Sequence, residues 1–148
     1  MADFNFVTDR VATGAAINNE DDVQQLVNAG VTVVVDCRGE FDDAPLFTAH
    51  PAITYVYDGT ADDGQTKPPE WFRRGITVAL LKLASPNEKV YAHCAAGVNR
   101  GPSMCYAILR AQGLNAVEAE SLIRVARPQV GLRYKGDADV AIKVLGYE

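Results

Sequence analysis

The 148-residue chain lacks the features that place a protein in or across a membrane. No apolar run approaches the roughly 18 residues that mark a membrane-spanning helix. The first residues, Met1 to Phe4, show neither the basic nor the apolar region of a signal peptide. Internal repeats and linkers are also missing. The length and the 48% hydrophobic, 22% charged composition therefore predict a single domain over residues 1–148 with its own core.

Cysteine and basic charge are both sparse. The three cysteines are an odd number without the close pair spacing of a metal site, which favours a reducing, cytoplasmic location over a disulfide framework. The net charge of −5, without a strong basic run, argues against binding to nucleic acid or to anionic membranes. Binding of a small anionic ligand is compatible with this net charge, because one loop can create a local positive field.

Hydrophobic patterning predicts strands that alternate with helices. The predicted strands are 31–35, 53–57 and 89–92, with a loop at 58–69, and the predicted helices are 20–29, 69–84, 102–112, 116–127 and 137–145. Strands that are apolar throughout are typical of a mostly parallel sheet flanked by helices, an α/β fold. Such folds bind ligands at the carboxyl ends of their strands.

One stretch lies at such a strand end, His93-Cys94-Ala95-Ala96-Gly97-Val98-Asn99-Arg100. A short loop before a helix can turn its N–H groups inward and form an anion site, which the helix dipole strengthens. Gly97 permits a sharp turn, and Arg100 adds a guanidinium that matches two phosphate oxygens. The same field favours the thiolate of Cys94, the nucleophilic form. A cysteine after an apolar strand is often only a buried packing residue, but this combination favours a catalytic anion-binding loop.

The stretch resembles the signature loop His-Cys-x-x-Gly-x-x-Arg of the cysteine-dependent protein tyrosine phosphatases, and its compact form is most similar to their dual-specificity branch. The resemblance extends more weakly from residue 31 to residue 127. It implies a phosphotyrosine protein phosphatase-like fold and a two-step hydrolysis without metal or other cofactor. Cys94 would form a phosphocysteine, residues 95–100 would hold the phosphate oxygens, and water would release phosphate. His93 would help to position the cysteine.

The chain departs from this family pattern directly after the arginine. The family usually carries serine or threonine there, and that hydroxyl stabilises the cysteine thiolate as it leaves in the second step. Here the position is Gly101, and Ser103 lies two residues later. We therefore expect slow breakdown of the phosphoenzyme unless Ser103 or another donor takes over this role.

The resemblance also implies an aspartate, some thirty residues before the cysteine, that protonates the leaving oxygen. General acids contribute about 10²- to 10⁴-fold to such reactions. Asp62 lies 32 residues before Cys94 and Asp63 lies 31 residues before it. We predict Asp62 as the acid, with Asp63 second and Asp58 third. Each of the three also suits a solvated turn.

Three further residues are candidates for a role at the site. Arg38 follows the first predicted strand and is either a substrate ligand or the base that pairs with Asp36. Cys37 is either buried or able to trap an oxidised Cys94 as a disulfide. Gln129 would orient the hydrolytic water, as a glutamine does in some relatives, although compact relatives often lack it.

The sequence thus predicts a monomeric phosphatase that acts on phosphotyrosine in proteins or peptides. Phosphoserine and phosphothreonine are alternative substrates that the sequence leaves open. The loop lacks the lysines that relatives acting on inositol lipids often carry. An RNA 5′-triphosphatase is an alternative that the low basic content disfavours. A non-catalytic phosphate-binding module is another, suggested by Gly101. A rhodanese-type sulfurtransferase usually has four residues between cysteine and arginine, whereas this loop has five.

Overall fold

A computed structural model describes all residues, 1–148, as five strands and six helices. The strands are β1 (Phe4–Phe6), β2 (Val11–Gly14), β3 (Val33–Arg38), β4 (Thr54–Thr60) and β5 (Val90–His93). The helices are α1 (Glu20–Asn28), α2 (Ala44–Phe47), α3 (Pro69–Leu83), α4 (Arg100–Ala111), α5 (Ala116–Ala126) and α6 (Lys135–Val144). No helix combines the length and the apolar character that crossing a bilayer requires.

The strands form one sheet in the order β1-β2-β5-β3-β4. Only β1 and β2 pair antiparallel, and the other three pairs are parallel. This confirms the predicted mostly parallel α/β architecture. The central strand β5 lies between β2 and β3, so its carboxyl end opens at the middle of the sheet edge, where ligands of such folds bind.

Side chains on successive strand positions alternate between two cores, as the pleat of a strand requires. On β3, Val33, Val35 and Cys37 join a large core that also contains residues of α3, α4, α5 and α6. Val34 joins a smaller core on the other face, which α1 and α2 cover. On β5 the same alternation places Val90 and Ala92 with the large core and Tyr91 with the small one, and Cys94, directly after the strand, also joins the large core.

All three predicted strands and all five predicted helices are present, with shifted ends. The side chain of Asn19 caps α1, and Asn115 and Glu118 form the predicted capping box of α5. One boundary was wrong: Asp58 does not begin a loop, because β4 continues to Thr60. The strand β3 also runs on to Arg38. Three elements were not predicted, namely β1, β2 and the short helix α2.

Candidate active site

The predicted site lies on the loop that joins β5 to α4, called here the Cys94 loop (residues 93–100). Strand β5 ends at His93, and α4 begins at Arg100. Cys94 is a free thiol and is only 2% exposed. Its backbone N–H donates to the carbonyl of Gly14 on β2 at 3.2 Å, which fixes the loop to the sheet edge.

The backbone of the Cys94 loop is held from outside. Four consecutive carbonyl groups, Ala95 to Val98, accept hydrogen bonds from groups beyond the loop. The donors are the Arg127 side chain and the backbone N–H groups of Ala16, Gly131 and Leu132. All peptide bonds are trans, so each N–H opposes its carbonyl, and the N–H groups of residues 96–99 turn inward. No N–H from residue 95 to residue 100 donates to another protein group. The result is a concave set of free donors over Cys94.

Arg127 supports the outer face of the loop. Its guanidinium donates to the carbonyls of Gly97 and Ala96 at 2.8 and 3.1 Å. It also donates to Asp3 at 2.9 and 3.1 Å and to Asn5 at 2.9 Å. The side chain is 1% exposed, so these bonds form largely away from water. Because of this hydrogen bonding, the pKa of Asp3 is lowered. Arg127 thereby links strand β1 to the loop.

Arg100 begins α4, and its guanidinium lies close enough to Cys94 to interact with it electrostatically. Its Nη1 and Nη2 atoms donate to the two carboxylate oxygens of Glu40 at 2.6 and 2.9 Å, and Nη1 also donates to the carbonyl of Thr60 at 2.9 Å. The Nε atom is buried and has no partner. The Arg100 hydrogen bonds lower the pKa of Glu40 to about 2. The Glu40 side chain is 55% exposed, so this carboxylate can exchange with another anion.

Two glycines let the backbone pack closely around Cys94. Gly97 has φ +68°, and a Cβ there would lie 2.5 Å from the backbone of Gly14. A Cβ on Gly101 would lie 2.8 Å from the backbone of His93 and 2.9 Å from the N atom of Cys94. Contacts this short with backbone atoms cannot be relieved by a rotamer change. The serine or threonine common in the resembled family therefore has no space here unless the start of α4 moves.

Ser103 does not hydrogen-bond to Cys94. Its hydroxyl is fully buried and accepts the backbone N–H of Tyr134 at 3.2 Å. This hydrogen bond anchors the segment before α6. The predicted role of Ser103 as a thiolate donor remains a prediction, without a contact that supports it.

His93 lies on the opposite face of β5 from Cys94 and is fully buried. Its Nδ1 atom is 3.3 Å from the carbonyl oxygen of Cys94. Its Nε2 atom is 3.2 Å from Asp43 and 3.7 Å from Asp36. The ring also stacks on Tyr91, with centroids 5.2 Å apart. These contacts fix the imidazole directly behind Cys94, and the supporting role of His93 remains a prediction.

Asp36, Asp43 and His93 form the one group whose donor atoms converge closely enough to bind a metal ion, all within 4.8 Å of one another. Arg38 already occupies the position next to them. Its guanidinium contacts Asp36 at 3.2 Å and Asp43 at 2.5 Å. A cation is therefore paired with both carboxylates. This pairing is the structural alternative that the sequence offered for Arg38, which lies on the side of the sheet away from Cys94.

The three candidate acids occupy different environments, and only Asp62 contacts the Cys94 loop. Its Oδ2 atom accepts a hydrogen bond from Asn99 at 3.4 Å, and its Oδ1 atom accepts one from the Tyr134 hydroxyl at 2.6 Å. Arg133 lies 3.7 Å away. The carboxylate is about one-third exposed, at 33%. Asp62 can therefore reach both solvent and a group bound above the loop.

Asp63 and Asp58 are held elsewhere. Asp63 pairs with Lys67 at 3.0 Å and is about half exposed. Its pKa is lowered, first by the backbone N–H of Gln65 and then by Lys67. Asp58 is buried, where it pairs with Arg74 at 2.8 Å, and burial raises its pKa. Neither carboxylate hydrogen-bonds to the Cys94 loop.

Two other predicted residues can also be placed. Cys37 is completely buried, and burial raises the pKa of its thiol well above the usual value, with the neighbouring Cys94 sulfur adding to the effect. Both thiols are free. Gln129 is exposed and makes no hydrogen bond to the loop. The structure thus supports a packing role for Cys37 and gives Gln129 no defined role.

Sequence reasoning missed three side chains that contact the site. Glu40 could have been predicted, because it follows β3 at the carboxyl edge of the sheet. Arg127 and Tyr134 carried no such signal. They lie 33 and 40 residues after Cys94 in the chain, and only the packing of α5 and α6 on the sheet brings them to the loop.

Comparisons with known proteins relate this architecture to others. No protein-family model and no curated protein matches the sequence. Solved structures do match. Human tyrosine phosphatase-like serine/threonine/tyrosine-interacting protein superposes with a TM-score of 0.79 at 13% identity, covering 98% of this chain and 99% of its own. The PTP-2 phosphatase of Cydia pomonella has a TM-score of 0.79 at 16% identity, with coverages of 95% and 90%.

A third match is PTPMT1 in complex with PI(5)P, with a TM-score of 0.77 at 18% identity. It covers 96% of this chain and 98% of that one. The chain therefore has the fold of the compact dual-specificity and protein tyrosine phosphatases over nearly its whole length. The resemblance inferred from the loop is confirmed at the level of the fold.

Proposed function

We propose that this protein is a phosphomonoester hydrolase that uses Cys94 as a covalent nucleophile and acts on phosphotyrosine in proteins. The observation that carries the proposal is the free, inward-facing N–H groups above a buried thiol. Backbone donors of this kind at the start of a helix bind tetrahedral oxyanions and favour a thiolate beneath them. The buried, unpartnered Nε of Arg100 adds a charged donor to the same cavity.

The reaction has two steps. In the first, the Cys94 thiolate attacks phosphorus and forms the S–P bond while the ester P–O bond breaks. Asp62, protonated, gives its proton to the leaving oxygen. In the second, water attacks phosphorus, the S–P bond breaks, and the thiolate and orthophosphate are released. Asp62 takes the proton from water and returns to its starting state.

Arg100 binds the phosphate in both steps. The carboxylate of Glu40 accepts hydrogen bonds from the two Nη atoms of Arg100. A phosphate dianion offers the same planar pair of acceptor oxygens with more charge, so it displaces Glu40 and engages Nε as well. Glu40 thus competes with the substrate for the guanidinium of Arg100.

The charges around the cavity favour a protein substrate over a phosphoinositide. The Cys94 loop carries no lysine, and the two acidic side chains that hydrogen-bond to its residues are Glu40 and Asp62. The nearby exposed cation, Arg133, already pairs with Asp62. A headgroup with several phosphates would meet net repulsion there. A phosphotyrosyl peptide brings a single dianion and can carry basic residues beside it.

A non-catalytic phosphate-binding module is the second candidate function. Gly101 favours this second candidate. It has no side chain and no space for one, so the hydroxyl that the family uses to stabilise the leaving thiolate is missing. The same assay separates the two candidates.

The test compares wild type with Cys94→Ser, using p-nitrophenyl phosphate, a phosphotyrosyl peptide and vesicles containing PI(5)P. Cys94→Ser is expected to lose about 10⁴-fold or more in turnover while still binding orthophosphate. Cys105→Ser, which changes a buried cysteine of α4 away from the loop, is the matched control and keeps its activity. Acid quenching during turnover should trap phosphate on wild-type protein only.

Three results would change the proposal. Turnover by Cys94→Ser at the wild-type rate removes the covalent mechanism. Orthophosphate binding without turnover by wild type supports the non-catalytic module. Faster hydrolysis of PI(5)P than of the peptide moves the substrate class to lipids.

A further inference from the structure

The segment that carries Asp62 has almost no backbone support. Residues 61–67, called here the acid segment, take part in no backbone–backbone hydrogen bond. Side chains hold the segment instead, and Asp137 at the start of α6 accepts the N–H of Lys67 at 3.0 Å. The position of Asp62 is therefore set by the side chains that reach it.

Tyr134 makes more of these contacts than any other residue outside the segment. Its hydroxyl donates to Asp62 at 2.6 Å and accepts the N–H of Gly64 at 3.0 Å. Its ring packs under the ammonium of Lys67, 4.8 Å from the ring centroid, and that ammonium also bonds to the carbonyl of Ala61 at 2.5 Å. Tyr134 itself is 1% exposed and its backbone is anchored on Ser103. A rigid buried residue thus holds both ends of a weakly supported segment.

The hydrogen bonds of the Tyr134 hydroxyl also distinguish the two oxygens of Asp62. The N–H of Gly64 fills the acceptor role of the phenol, so the single phenolic hydrogen is directed to Oδ1 of Asp62. The proton that Asp62 donates must then reside on Oδ2. That oxygen accepts a hydrogen bond from Asn99 of the Cys94 loop at 3.4 Å. Under the proposed function it is therefore the oxygen nearer to the loop that binds phosphate.

We propose that Tyr134 is a positioning residue that places Asp62 over the Cys94 loop and directs the proton-bearing oxygen toward the leaving group. The inference rests on the proposed function, because it assigns a role within that reaction. Tyr134 does not touch the reacting atoms. It acts through Asp62 alone, and this makes the inference separable from a general contribution to folding.

Other charged side chains near Asp62 are alternative candidates for orienting its carboxylate. Arg133, one residue before Tyr134, lies 3.7 Å from Asp62 and is half exposed. Lys67 and Asp63 form their own pair at 3.0 Å. None of these groups distinguishes the two carboxylate oxygens by a short hydrogen bond, as the tyrosine does.

The experiment removes only the hydroxyl, with Tyr134→Phe, and measures kcat/KM for two esters. Phenyl phosphate has a poor leaving group and needs the acid, whereas p-nitrophenyl phosphate has an activated one and needs it little. Tyr134→Phe is expected to lower kcat/KM about 10- to 100-fold for phenyl phosphate and by no more than about 3-fold for p-nitrophenyl phosphate. The ring stays in place on Lys67, so the fold is retained.

Two further variants complete the design. The double variant Asp62→Ala/Tyr134→Phe should be no slower on phenyl phosphate than Asp62→Ala alone, because the tyrosine acts only through the carboxylate. Tyr106→Phe removes another tyrosine hydroxyl that bonds to a carboxylate, that of Asp139 on α6. It should leave both esters unchanged.

The outcomes separate this inference from the proposed function. Equal losses on both esters in Tyr134→Phe would mean a structural role and overturn the inference, as would no loss on either ester. An additional loss in the double variant would also overturn it. If Asp62→Ala is selective for phenyl phosphate and Tyr134→Phe is not, the inference fails and the proposed function stands. Turnover by Cys94→Ser at the wild-type rate would instead refute the proposed function itself.

Discussion

The inner and outer faces of the Cys94 loop each have one buried arginine, and the two differ in how their hydrogen bonds are used. Arg127, on the outer face, bonds to Asp3, Asn5 and two loop carbonyls. Arg100, on the inner face, has an unpartnered Nε and is otherwise bound mainly to the half-exposed Glu40. Under the proposed function, Arg127 with its fixed partners shapes the loop, and Arg100 with its replaceable partner binds the phosphate.

The largest expected effect concerns the inner arginine. Arg100→Lys keeps the charge but loses the forked donors, so kcat/KM for a phosphotyrosyl peptide should fall about 10³-fold. The free energy of unfolding should change by no more than about 1 kcal/mol, because an exposed partner, Glu40, is involved. Steady-state kinetics and urea unfolding measure the two quantities.

Arg110→Lys is the control for this prediction. It alters a largely buried arginine that pairs with Asp139 and Glu148, away from the loop, and should keep full activity. A large loss of stability in Arg100→Lys, equal to that of an Arg127 variant, would erase the distinction between the two faces.

The outer arginine should affect stability as well as activity. Arg127→Met leaves the carbonyls of Ala96 and Gly97 without this donor and Asp3 without its partner. We expect a loss of about 3 kcal/mol in the free energy of unfolding, measured in urea, with a parallel fall in phosphate affinity.

The comparison variant is Arg124→Met, one turn earlier on α5, whose side chain is 44% exposed and pairs with Glu120. It should lose less than about 1 kcal/mol. If Arg127→Met retained its stability and lost only activity, Arg127 would be a residue that binds phosphate and not one that supports the loop.

The smallest effect concerns the replaceable partner. Glu40→Gln removes the competing carboxylate, so orthophosphate should bind roughly 3- to 10-fold more tightly by calorimetry. The pKa of Glu40 is lowered from 4.5 to about 2. Its ion pair therefore stabilises the fold above about pH 4.5, and this contribution fades as the pH falls toward 2. The stability difference between wild type and Glu40→Gln should follow that course and stay below about 1 kcal/mol.

Asp42→Asn is the control for this prediction. It neutralises a neighbouring exposed carboxylate that bonds to Tyr55, and so measures the effect on phosphate binding of losing one negative charge. Weaker phosphate binding in Glu40→Gln than in wild type would show that Glu40 holds Arg100 in its binding position and does not compete there.

The sequence predicted the parts of the molecule that local patterns encode. The β-branched run at 31–35 and the periodic helix at 69–84 specify their own structures. Strands β1 and β2 are three and four residues long, and they form because Phe4–Phe6 pairs with β2 and β2 pairs with β5. Such short segments carry too little periodicity to be predicted without their partners.

The same distinction holds at the site. Cys94 and Arg100 lie in one contiguous motif with one spacing, so a single loop geometry places both. Asp62 and Asp63 are adjacent, and their different surroundings depend on where Tyr134 and Lys67 reach them. That information belongs to the packing of α6, which no local pattern of the acid segment contains.

The bare backbone of Gly101 has a kinetic consequence under the proposed mechanism. Hydrolysis of the phosphocysteine is the same step whichever ester supplied the phosphate. If no hydroxyl eases departure of the sulfur, that shared step sets one ceiling on turnover for every ester, and the enzyme accumulates in its phosphorylated form at saturation. Preferences among substrates then disappear from kcat and persist only in kcat/KM, which reports events up to the first release.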